Sequence, residues 1–503
     1  MADVRVVHSV DRRLGGKRLA DLVTAAVAGE KPGYRALAQA VRTLLLDGRV
    51  PLHTRLPAER ELASALGVSR ATVTAAYDLL RESGFAASRR GASTWTELPE
   101  GRRPTNVAAY PPGPAGGAGG VGGVGDGTLD LAVAAPAAPA AELSEAVAAA
   151  AALLPAHTAT AGYHPYGIPE LRAAVAERFT RRGLPTLPDQ ILITTGAQQA
   201  ISLVLALLGR PGDRVLVENP SYPNALDAIR RAGLRAMPVP VTDAGWDTAL
   251  VESTLRQAAP RIAYLVPDFQ NPTGALMGRE QRVRILETAR ATGTWLLIDE
   301  TIADIALDVP PPVPFASLAP HGVAEQVLTV GSLSKSHWGG LRIGWVRAGS
   351  RLITELAMAR IPADMATPVL EQLVALHLMG GMDEVLRARL PQLRAARAAL
   401  AAALTRQLPE WRWQLPPGGL SLWVDLGAPV ASSLARAALG HGVRIEGGSR
   451  FGADPGTHEH RLRIPFTLAP DLYEEAAARL AAALAAGLDP AGGADPRHDD
   501  WVA

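Results

Sequence analysis

Ser332-Leu333-Ser334-Lys335, followed seven residues later by Arg342-Ile343-Gly344, carries the groups needed to hold a phosphorylated aldehyde. A lysine amine can condense with an aldehyde to form a Schiff base, and neighbouring hydroxyls and an arginine can donate to a phosphate ester. Pyridoxal phosphate (PLP) requires both. Ser-x-Ser-Lys alone also describes many solvated loops, so the weight falls on its upstream partners. Thr194-Thr195-Gly196-Ala197-Gln198-Gln199-Ala200 follows an apolar strand, Gln190–Thr194, and opens a helix through Leu208. A glycine at a helix N-terminus lets backbone N–H groups approach a phosphate, with the helix dipole in favour. The bland alternative is a structural turn.

Glu218-Asn219-Pro220-Ser221-Tyr222-Pro223 places Tyr222 just beyond the next strand, where it can stack on a pyridine ring or simply pack on its own domain. Asp268-Phe269-Gln270-Asn271-Pro272-Thr273-Gly274 ends the strand Ile262–Pro267. Asn271 can donate to a ring phenolate oxygen, and its bond to Pro272 is a candidate cis peptide. Trp295-Leu296-Leu297-Ile298-Asp299 is a buried-strand pattern that finishes in a carboxylate. Against a pyridine nitrogen, that charge keeps the nitrogen protonated and makes the ring an electron sink. The competing role for Asp299 is a helix cap.

A second group of residues lies near the N-terminus. The spacing predicts a helix near Tyr34–Leu46 with Leu37, Val41, Leu44 and Leu45 on one face. Pro57 suits the first position of a second helix, which runs through Glu59–Leu66. Gly67-Val68 makes a turn, and Ser69 caps a third helix, Arg70–Arg81, with Val73, Tyr77 and Leu80 inward and Gly84 ending it. In such a helix-turn-helix the third helix enters the DNA major groove with its first residues, here Arg70, Thr72 and Thr74. Arg89-Arg90-Gly91, between two short strands, is placed as a wing against phosphate or minor groove. A purely structural three-helix domain with solvated arginines is the alternative.

The chain that must position these groups has 503 residues, 48% hydrophobic and 20% charged, which suits two or three globular domains with large cores. No cysteine is present, which excludes disulfides and thiolate metal sites and agrees with a reducing cytoplasm. The charged N-terminus is not a signal peptide, and the Ala-rich stretch 131–154, broken by Pro136, Pro139, Glu142 and Glu145, reads as strand, loop and helix rather than a membrane span. Net charge is +1, yet residues 31–103 hold twelve Lys/Arg against seven Asp/Glu, a local +5 that leaves −4 elsewhere. That asymmetry points to a polyanionic partner for the front part alone. The expected order is an extension over 1–30, a winged helix-turn-helix over 31–98, a flexible linker over 99–128, an α/β domain over 129–487, and a disordered tail over 488–503. The Gly/Pro/Ala run Thr105–Gly127 would span roughly 25–30 Å as a coil, so the front module can sit beside the body or reach away.

Leu56-Pro57-Ala58-Glu59-Arg60-Glu61-Leu62-Ala63 and Gly67-Val68-Ser69-Arg70-Ala71-Thr72-Val73 resemble the GntR-type winged-helix regulators over about Tyr34–Thr96. The resemblance implies operator contacts from Arg60, Arg70, Thr72 and the wing glycine Gly91. A basic residue sometimes found at the place of Thr74 is missing, so base specificity does not carry over.

The motifs from Gly196 to Arg342, in their order, resemble the fold type I aminotransferases over roughly 129–487. That implies an α/β PLP-binding fold with large and small subdomains. It further implies that Gly196, Ala197, Gln198, Ser332 and Arg342 cradle the phosphate, that Tyr222, Asn271 and Asp299 hold the ring, and that Lys335 forms the Schiff base. Arg463, in Leu462-Arg463-Ile464-Pro465-Phe466, matches the arginine that clamps an α-carboxylate, with Arg461 as the competing candidate. These enzymes carry a tyrosine two or three residues after the aspartate; here the run is Asp299-Glu300-Thr301-Ile302, a departure expected to weaken turnover more than binding.

The two modules together resemble the MocR/PdxR group of transcriptional regulators. The expectation is a cytoplasmic PLP-binding transcription factor that binds double-stranded promoter DNA, with PLP and an amino-acid-like effector as ligands. The resemblance implies a head-to-tail homodimer in which the DNA module leans on the partner's body, a symmetric arrangement compatible with paired half-sites or direct repeats. The alternatives are a working aminotransferase with an accessory DNA module, and an assembly factor that has lost the cofactor. No metal site is expected: His458-x-His460 reads as an exposed polar loop. Trp411 and Trp413 alternate like a core pair, Pro310–Pro314 reads as a rigid turn, and Tyr163 and Tyr166 are candidates to reach a neighbouring subunit's phosphate.

Overall fold

Leu19, Val23, Leu37, Val41, Leu44, Leu62, Val73, Tyr77 and Leu80 all point into one small core that organises the front of the chain. The structure, a computed structural model, describes residues 12–27, 31–88, 94–99, 127–320, 324–454 and 456–488. The wing tip Arg89-Arg90-Gly91, most of the linker and the tail beyond 488 lie outside the described residues. The front module runs β1 (Arg12–Arg13), α1 (Gly16–Ala26), α2 (Tyr34–Leu46), β2 (Thr54–Arg55), α3 (Glu59–Leu66), α4 (Arg70–Glu82), β3 (Ala86–Ser88) and β4 (Thr94–Thr96). Its strands form one sheet in the order β1-β2-β4-β3.

Gly67, at φ 65°, turns the chain between α3 and α4, and Ser69 Oγ accepts from the Thr72 N–H at 3.1 Å to cap α4 as expected. Two expectations are corrected. Pro57 does not open α3, which begins at Glu59; its carbonyl instead accepts from the buried Tyr77 hydroxyl at 2.9 Å. Residues 12–26 are not a detached extension either. Helix α1 buries Leu19, Ala20 and Val23 in the module's core, and Glu61 Oε1 accepts from the Gly16 N–H at its first turn. A stripe this short, flanked by Gly15-Gly16 and Lys17-Arg18, carries too little periodicity to be read as a core helix.

The body begins with β5 (Leu129–Leu131), α5 (Ala140–Leu153) and α6 (Pro169–Arg181). A repeating strand–helix series follows: β6 (Ile191–Thr194), α7 (Gly196–Leu208), β7 (Arg214–Asn219), α8 (Pro223–Arg231), β8 (Arg235–Thr242), β9 (Gly245–Trp246), α9 (Thr248–Ala258), β10 (Ile262–Leu265), α10 (Arg279–Thr292), β11 (Trp295–Asp299), β12 (Val327–Ser332) and β13 (Gly344–Arg347). These strands make an eight-stranded sheet, β6-β13-β12-β11-β10-β7-β8-β9. Its central run β12-β11-β10-β7-β8 is parallel, and β13 lies antiparallel to both neighbours. Alternate residues feed cores on opposite faces, Leu296 and Ile298 on one and Leu297 on the other. Both faces are therefore covered, which is why these strands read as continuous apolar runs.

The chain then passes through α11 (Ser350–Asp364), α12 (Val369–Gly380) and α13 (Met382–Gln407) into β14 (Ser421–Asp425), α14 (Ala431–Gly440), β15 (Val443–Gly447), β16 (Arg461–Pro465) and α15 (Leu472–Ala485). A second sheet, β14-β16-β15-β5, forms the smaller lobe, and β5 joins it although it precedes the whole large sheet in sequence. No helix among the described residues is long and apolar enough to cross a membrane.

The front module rests on its own chain's body rather than reaching away from it. Leu46 O accepts from the His458 N–H at 2.7 Å, Asp47 pairs with His460 at 3.0 Å, and Arg18 pairs with Asp247. His458 is buried and His460 nearly so, which corrects the exposed loop expected for them; what buries them is the front module.

Leu19→Ala removes a fully buried side chain that joins α1 to the module. We expect it to lower the module's stability by about 2–5 kcal/mol, read by thermal unfolding, and to leave the body's transition in place.

Candidate functional site

Every candidate ring- and phosphate-facing residue lies just past the C-terminal end of a strand of the large sheet or on an adjoining turn. Strand β6 leads into Gly196, β7 into Tyr222, β10 into Asn271, and β12 into Lys335, while β11 ends on Asp299 itself. Parallel strands deliver their loops to one edge, so five segments separated by up to 140 residues converge without any being near in sequence.

Around Gly196 the chain approaches too closely for a side chain. Gly196 has φ 79°, and a Cβ there would stand 2.4 Å from Arg342 Nη2. A Cβ on Gly344 would stand 2.6 Å from the Gly196 carbonyl carbon and 2.7 Å from the Ala197 nitrogen. Arg342, itself at φ 51°, donates from Nη2 to Thr195 O at 3.2 Å and from Nη1 to Gly339 O at 3.3 Å. Ser332 Oγ donates to Ile343 O at 2.9 Å and lies 2.7 Å from Ser334 Oγ. Gln198 donates to Asn224 O, and its buried Oε1 has no partner within the chain.

At the ring end, Asn271 keeps a buried, unpartnered Oδ1, and the cis bond expected to Pro272 is present, with a second at Asn219–Pro220. Asp299 is buried, and its Oδ2 accepts from the Tyr264 hydroxyl at 2.8 Å, while Oδ1 caps the Thr301 N–H at 3.0 Å. No helix follows Asp299, so the helix-cap alternative does not hold: its Oδ1 braces a turn over 301–304. Tyr222 stands with its phenol accepting from Asn224 Nδ2 at 2.9 Å; burial pushes its pKa up to about 12. Ile302 fills the place next to Phe269 in the smaller lobe's core, so it adds no polar group where a tyrosine is usual.

Lys335 sits between these ends, in a small cavity it shares with Asn271, Ile302 and Ser421. Its Nζ donates to Ala134 O at 2.9 Å. Desolvation, aided by the nearby Arg463 and opposed by Asp299, pushes the amine down to about 7. Arg463 is wholly buried on β16, with its guanidinium 4.8 Å above the Phe451 ring and one nitrogen donating to Ala132 O. Burial lowers it to about 10, and its Nε and Nη1 have no partner within the chain. Arg461 differs: it faces Asp243 at 3.2 Å and Asp425 at 3.4 Å, so its charge is already matched.

Three participants carried no motif. Tyr264 interrupts an otherwise aliphatic strand, and a buried phenol must find an acceptor, which was the available signal. Glu218, buried and pushed up to about 8 by desolvation, accepts from Trp246 Nε1, Gln270 Nε2 and the Val266 N–H, and so braces Gln270 beside Asn271. Phe451 could be found only in three dimensions.

In the front module, Arg60 is exposed on α3, and Arg70, two-thirds exposed, pairs with Glu59 at 3.1 Å. Thr74 donates to the same Glu59 carboxylate at 3.0 Å, and the Ser69 and Thr72 hydroxyls lie 2.8 Å apart. Arg60, Ser69, Arg70, Thr72 and Thr74 therefore share the start of the helix-turn-helix. Tyr163 is strongly exposed, while Tyr166 lies under Arg172. No group of three or more potential metal ligands occurs among the described residues.

An amine with a pKa near 7 is half neutral at neutral pH, and only the neutral form attacks an aldehyde. The rate at which Lys335 captures PLP should rise with pH up to about 7 and level off above it, followed by stopped-flow absorbance. A solvated lysine would keep gaining toward about pH 10.

Comparison with known proteins agrees with this architecture. The family described as aminotransferase class I and II matches residues 127–480, and the bacterial regulatory proteins of the gntR family match residues 33–95. An uncharacterised HTH-type transcriptional regulator of Bacillus subtilis, YdfD, is 27% identical over 88% of this chain and 94% of its own. The protein named probable rhizopine catabolism regulatory protein MocR, from Rhizobium meliloti, is 29% identical over 63% of this chain and 65% of its own. Among solved structures, the α-aminoadipate aminotransferase LysN of Thermus thermophilus, complexed with N-(5'-phosphopyridoxyl)-L-leucine, superposes with a TM-score of 0.66 at 33% identity, covering 72% of this chain and 92% of that one. With its body matched over most of its length and a second family at its front, the chain belongs to the PLP-using class I and II aminotransferase family, in the fusion with a GntR-type module that characterises the MocR-type regulators.

Proposed function

We propose that the chain is a PLP-dependent transcriptional regulator in which PLP held at Lys335, alone or with an amino compound, modulates binding of the front module to double-stranded promoter DNA. The observation that carries this reading is the seating of a helix-turn-helix on the very loops that lead to Tyr222 and Arg463. A sensor needs such a contact to link its two modules.

The residues fit the cofactor. The tight approach of Arg342 and Gly344 to Gly196 and Ala197, with Ser332 and Gln198 beside them, supports a phosphate cradle. Tyr222, Asn271 and Asp299 are the residues proposed to hold the ring, and Asn271, which lines the cavity at Lys335, would donate to the ring oxygen from its amide nitrogen. The cofactor, when bound, supplies an aldehyde for the lysine amine and an electron-withdrawing ring. Lys335 contributes an amine that is about half neutral at neutral pH. Asp299, oriented by Tyr264, contributes a carboxyl group at the end of β11 for the ring nitrogen. The orphaned Nε and Nη1 of Arg463 support a two-pronged grip on the carboxylate of an amino-acid-like effector, a role for which Arg461 is already occupied.

For DNA we assign Arg60, Ser69, Arg70, Thr72 and Thr74, with the wing Arg89, Arg90 and Gly91. Binding would exchange the Arg70–Glu59 pair for phosphate or base contacts. A cytoplasmic homodimer is part of the proposal; the contacts of Leu46, Asp47 and Gly48 support a DNA module held on its own chain's body in place of the expected head-to-tail lean on the partner. Val147 and Leu153 on α5, Met358 on α11 and Leu370 on α12 stay exposed, which supports a second copy against this side of the body. A second reading, an active aminotransferase with an accessory DNA module, is favoured by the retention of Lys335, Asp299 and Arg463 together. Sustained amino transfer from an amino acid to a keto acid would establish it.

DNase footprinting of the full chain on a duplex it selects from a randomised pool, with and without PLP, tests the regulator. We expect the protected length or the half-saturation concentration to change with PLP. Identical footprints and affinities in both arms would defeat the proposal.

A further inference from the structure

Front module and body meet through polar contacts at three places: Arg18 of α1 against Asp247, Leu52 against Asp454, and the end of α2 against the body's two ligand-facing segments. The last of these is the one that adjoins the candidate site. Leu46 O accepts from the His458 N–H at 2.7 Å, and Gly48 O accepts from Asn219 Nδ2 at 3.4 Å. Gly48 has φ 65°, and a Cβ there would stand 2.2 Å from Asn219 Nδ2, so a side chain would push the two apart. His458 also lies in the left-handed region, at φ 61°, which a non-glycine residue adopts only where its surroundings hold it.

On the body side, the same two residues lead inward. Asn219 is the last residue of β7, three before Tyr222, and its Oδ1 takes the Ala453 N–H at 3.0 Å and lies 3.2 Å from His458 Nε2. Burial holds the His458 imidazole neutral, so it meets Asn219 as an uncharged donor. The Ser221 N–H donates to Phe451 O at 2.9 Å, and the Phe451 ring carries Arg463 on its face. Trp423 closes the circuit: it packs edge-on against both Phe451 and His458 and sits opposite Arg463 in the β14–β16 ladder. Helix α2 in turn packs on α4, the DNA-reading helix.

We propose that this joint, rather than the linker, carries the state of the cofactor site to the DNA-reading helix; the inference rests on the regulatory reading above. A ligand shifts an equilibrium only through contacts that differ between its two arrangements. A ring stacked on Tyr222 bears on the 219–222 segment, and a carboxylate on Arg463 draws the guanidinium from Phe451. Both motions arrive at Asn219 and His458, whose bonds to Gly48 and Leu46 set how the front module is held. Coupling through so short a set of direct contacts needs no ordered linker.

The test uses the full chain and an Arg18→Ala/Asp47→Ala variant, which removes the module's side-chain contacts to Asp247 and His460, the second beside the Leu46 and Gly48 bonds, and changes no residue of the cofactor site or of α4. PLP is the probe. Three quantities are read with and without it: absorbance, hydrogen exchange over residues 43–52, and affinity for a duplex selected by the unaltered chain. In the unaltered chain PLP should change exchange over 43–52 and should change affinity by about fivefold or more. The variant should keep the absorbance response while both other changes fall below about twofold. Asp47→Asn, which preserves shape, should give an intermediate loss and guards against a variant that merely unfolds. A variant with the full dependence of affinity on PLP would overturn the joint, as would unmoved exchange at 43–52 beside a responsive affinity. No absorbance response in the unaltered chain would instead sink the cofactor reading itself, and the inference with it.

Discussion

One buried balance of charge underlies the rest of the body: a lysine amine held between a carboxylate and a guanidinium, all three withdrawn from water. Asp299 favours the protonated amine, Arg463 opposes it, and desolvation decides in favour of the neutral form. Each of these groups is costly to bury alone, and each is fixed by a different strand: β11 for Asp299, the turn after β12 for Lys335, and β16 of the smaller lobe for Arg463. The two sheets must therefore be correctly docked before the balance exists at all. Removing Asp299 takes away the group that favours a charged Lys335, whereas removing Arg463 takes away one that opposes it.

The polar groups around that balance follow the same logic. Tyr264 gives Asp299 a donor where the usual tyrosine after the aspartate is missing, although it reaches the carboxylate and not the ring oxygen. Glu218 spends its lone pairs on Trp246, Gln270 and Val266 and so stiffens the turn that presents Asn271. In contrast, Arg463, Gln198 and Asn271 keep buried polar atoms that nothing in the chain satisfies. Native proteins rarely leave such atoms unsatisfied, and Asn271 is the one of the three that lines the cavity at Lys335.

Legibility in the sequence followed the range of the interactions. Strand β11, helices α2 and α4, the Ser69 cap and the Gly67 turn depend on periodicity and on local hydrogen bonds, so their residues announce them. The order of glycine, tyrosine, asparagine, aspartate and lysine segments was legible because each ends or follows an apolar strand. Helix α1 was not, because three apolar residues become a core stripe only when Glu61 and α3 lie beside them. His458 and His460 looked like solvent-facing loop residues for the same reason: what covers them is Leu46–Gly48, some 400 residues away. The choice between Arg461 and Arg463 likewise needed the third dimension, since only the fold shows Asp243 and Asp425 neutralising the first.

The joint between modules gives the architecture a direction. Helix α4 packs on α2, and the bonds from Leu46 and Gly48 to His458 and Asn219 join the end of α2 to the segments that carry Arg463 and Tyr222; on the proposed function this is the path from cofactor site to DNA. All of this depends on the cofactor forming its bond at that lysine. The most direct measurement is the absorbance spectrum of the full chain and of Lys335→Ala after incubation with PLP and removal of the excess. The account predicts a long-wavelength band, distinct from that of free PLP, that survives desalting in the unaltered chain and is lost in the variant. Equal spectra for the two proteins, or no retained absorbance in either, would contradict it.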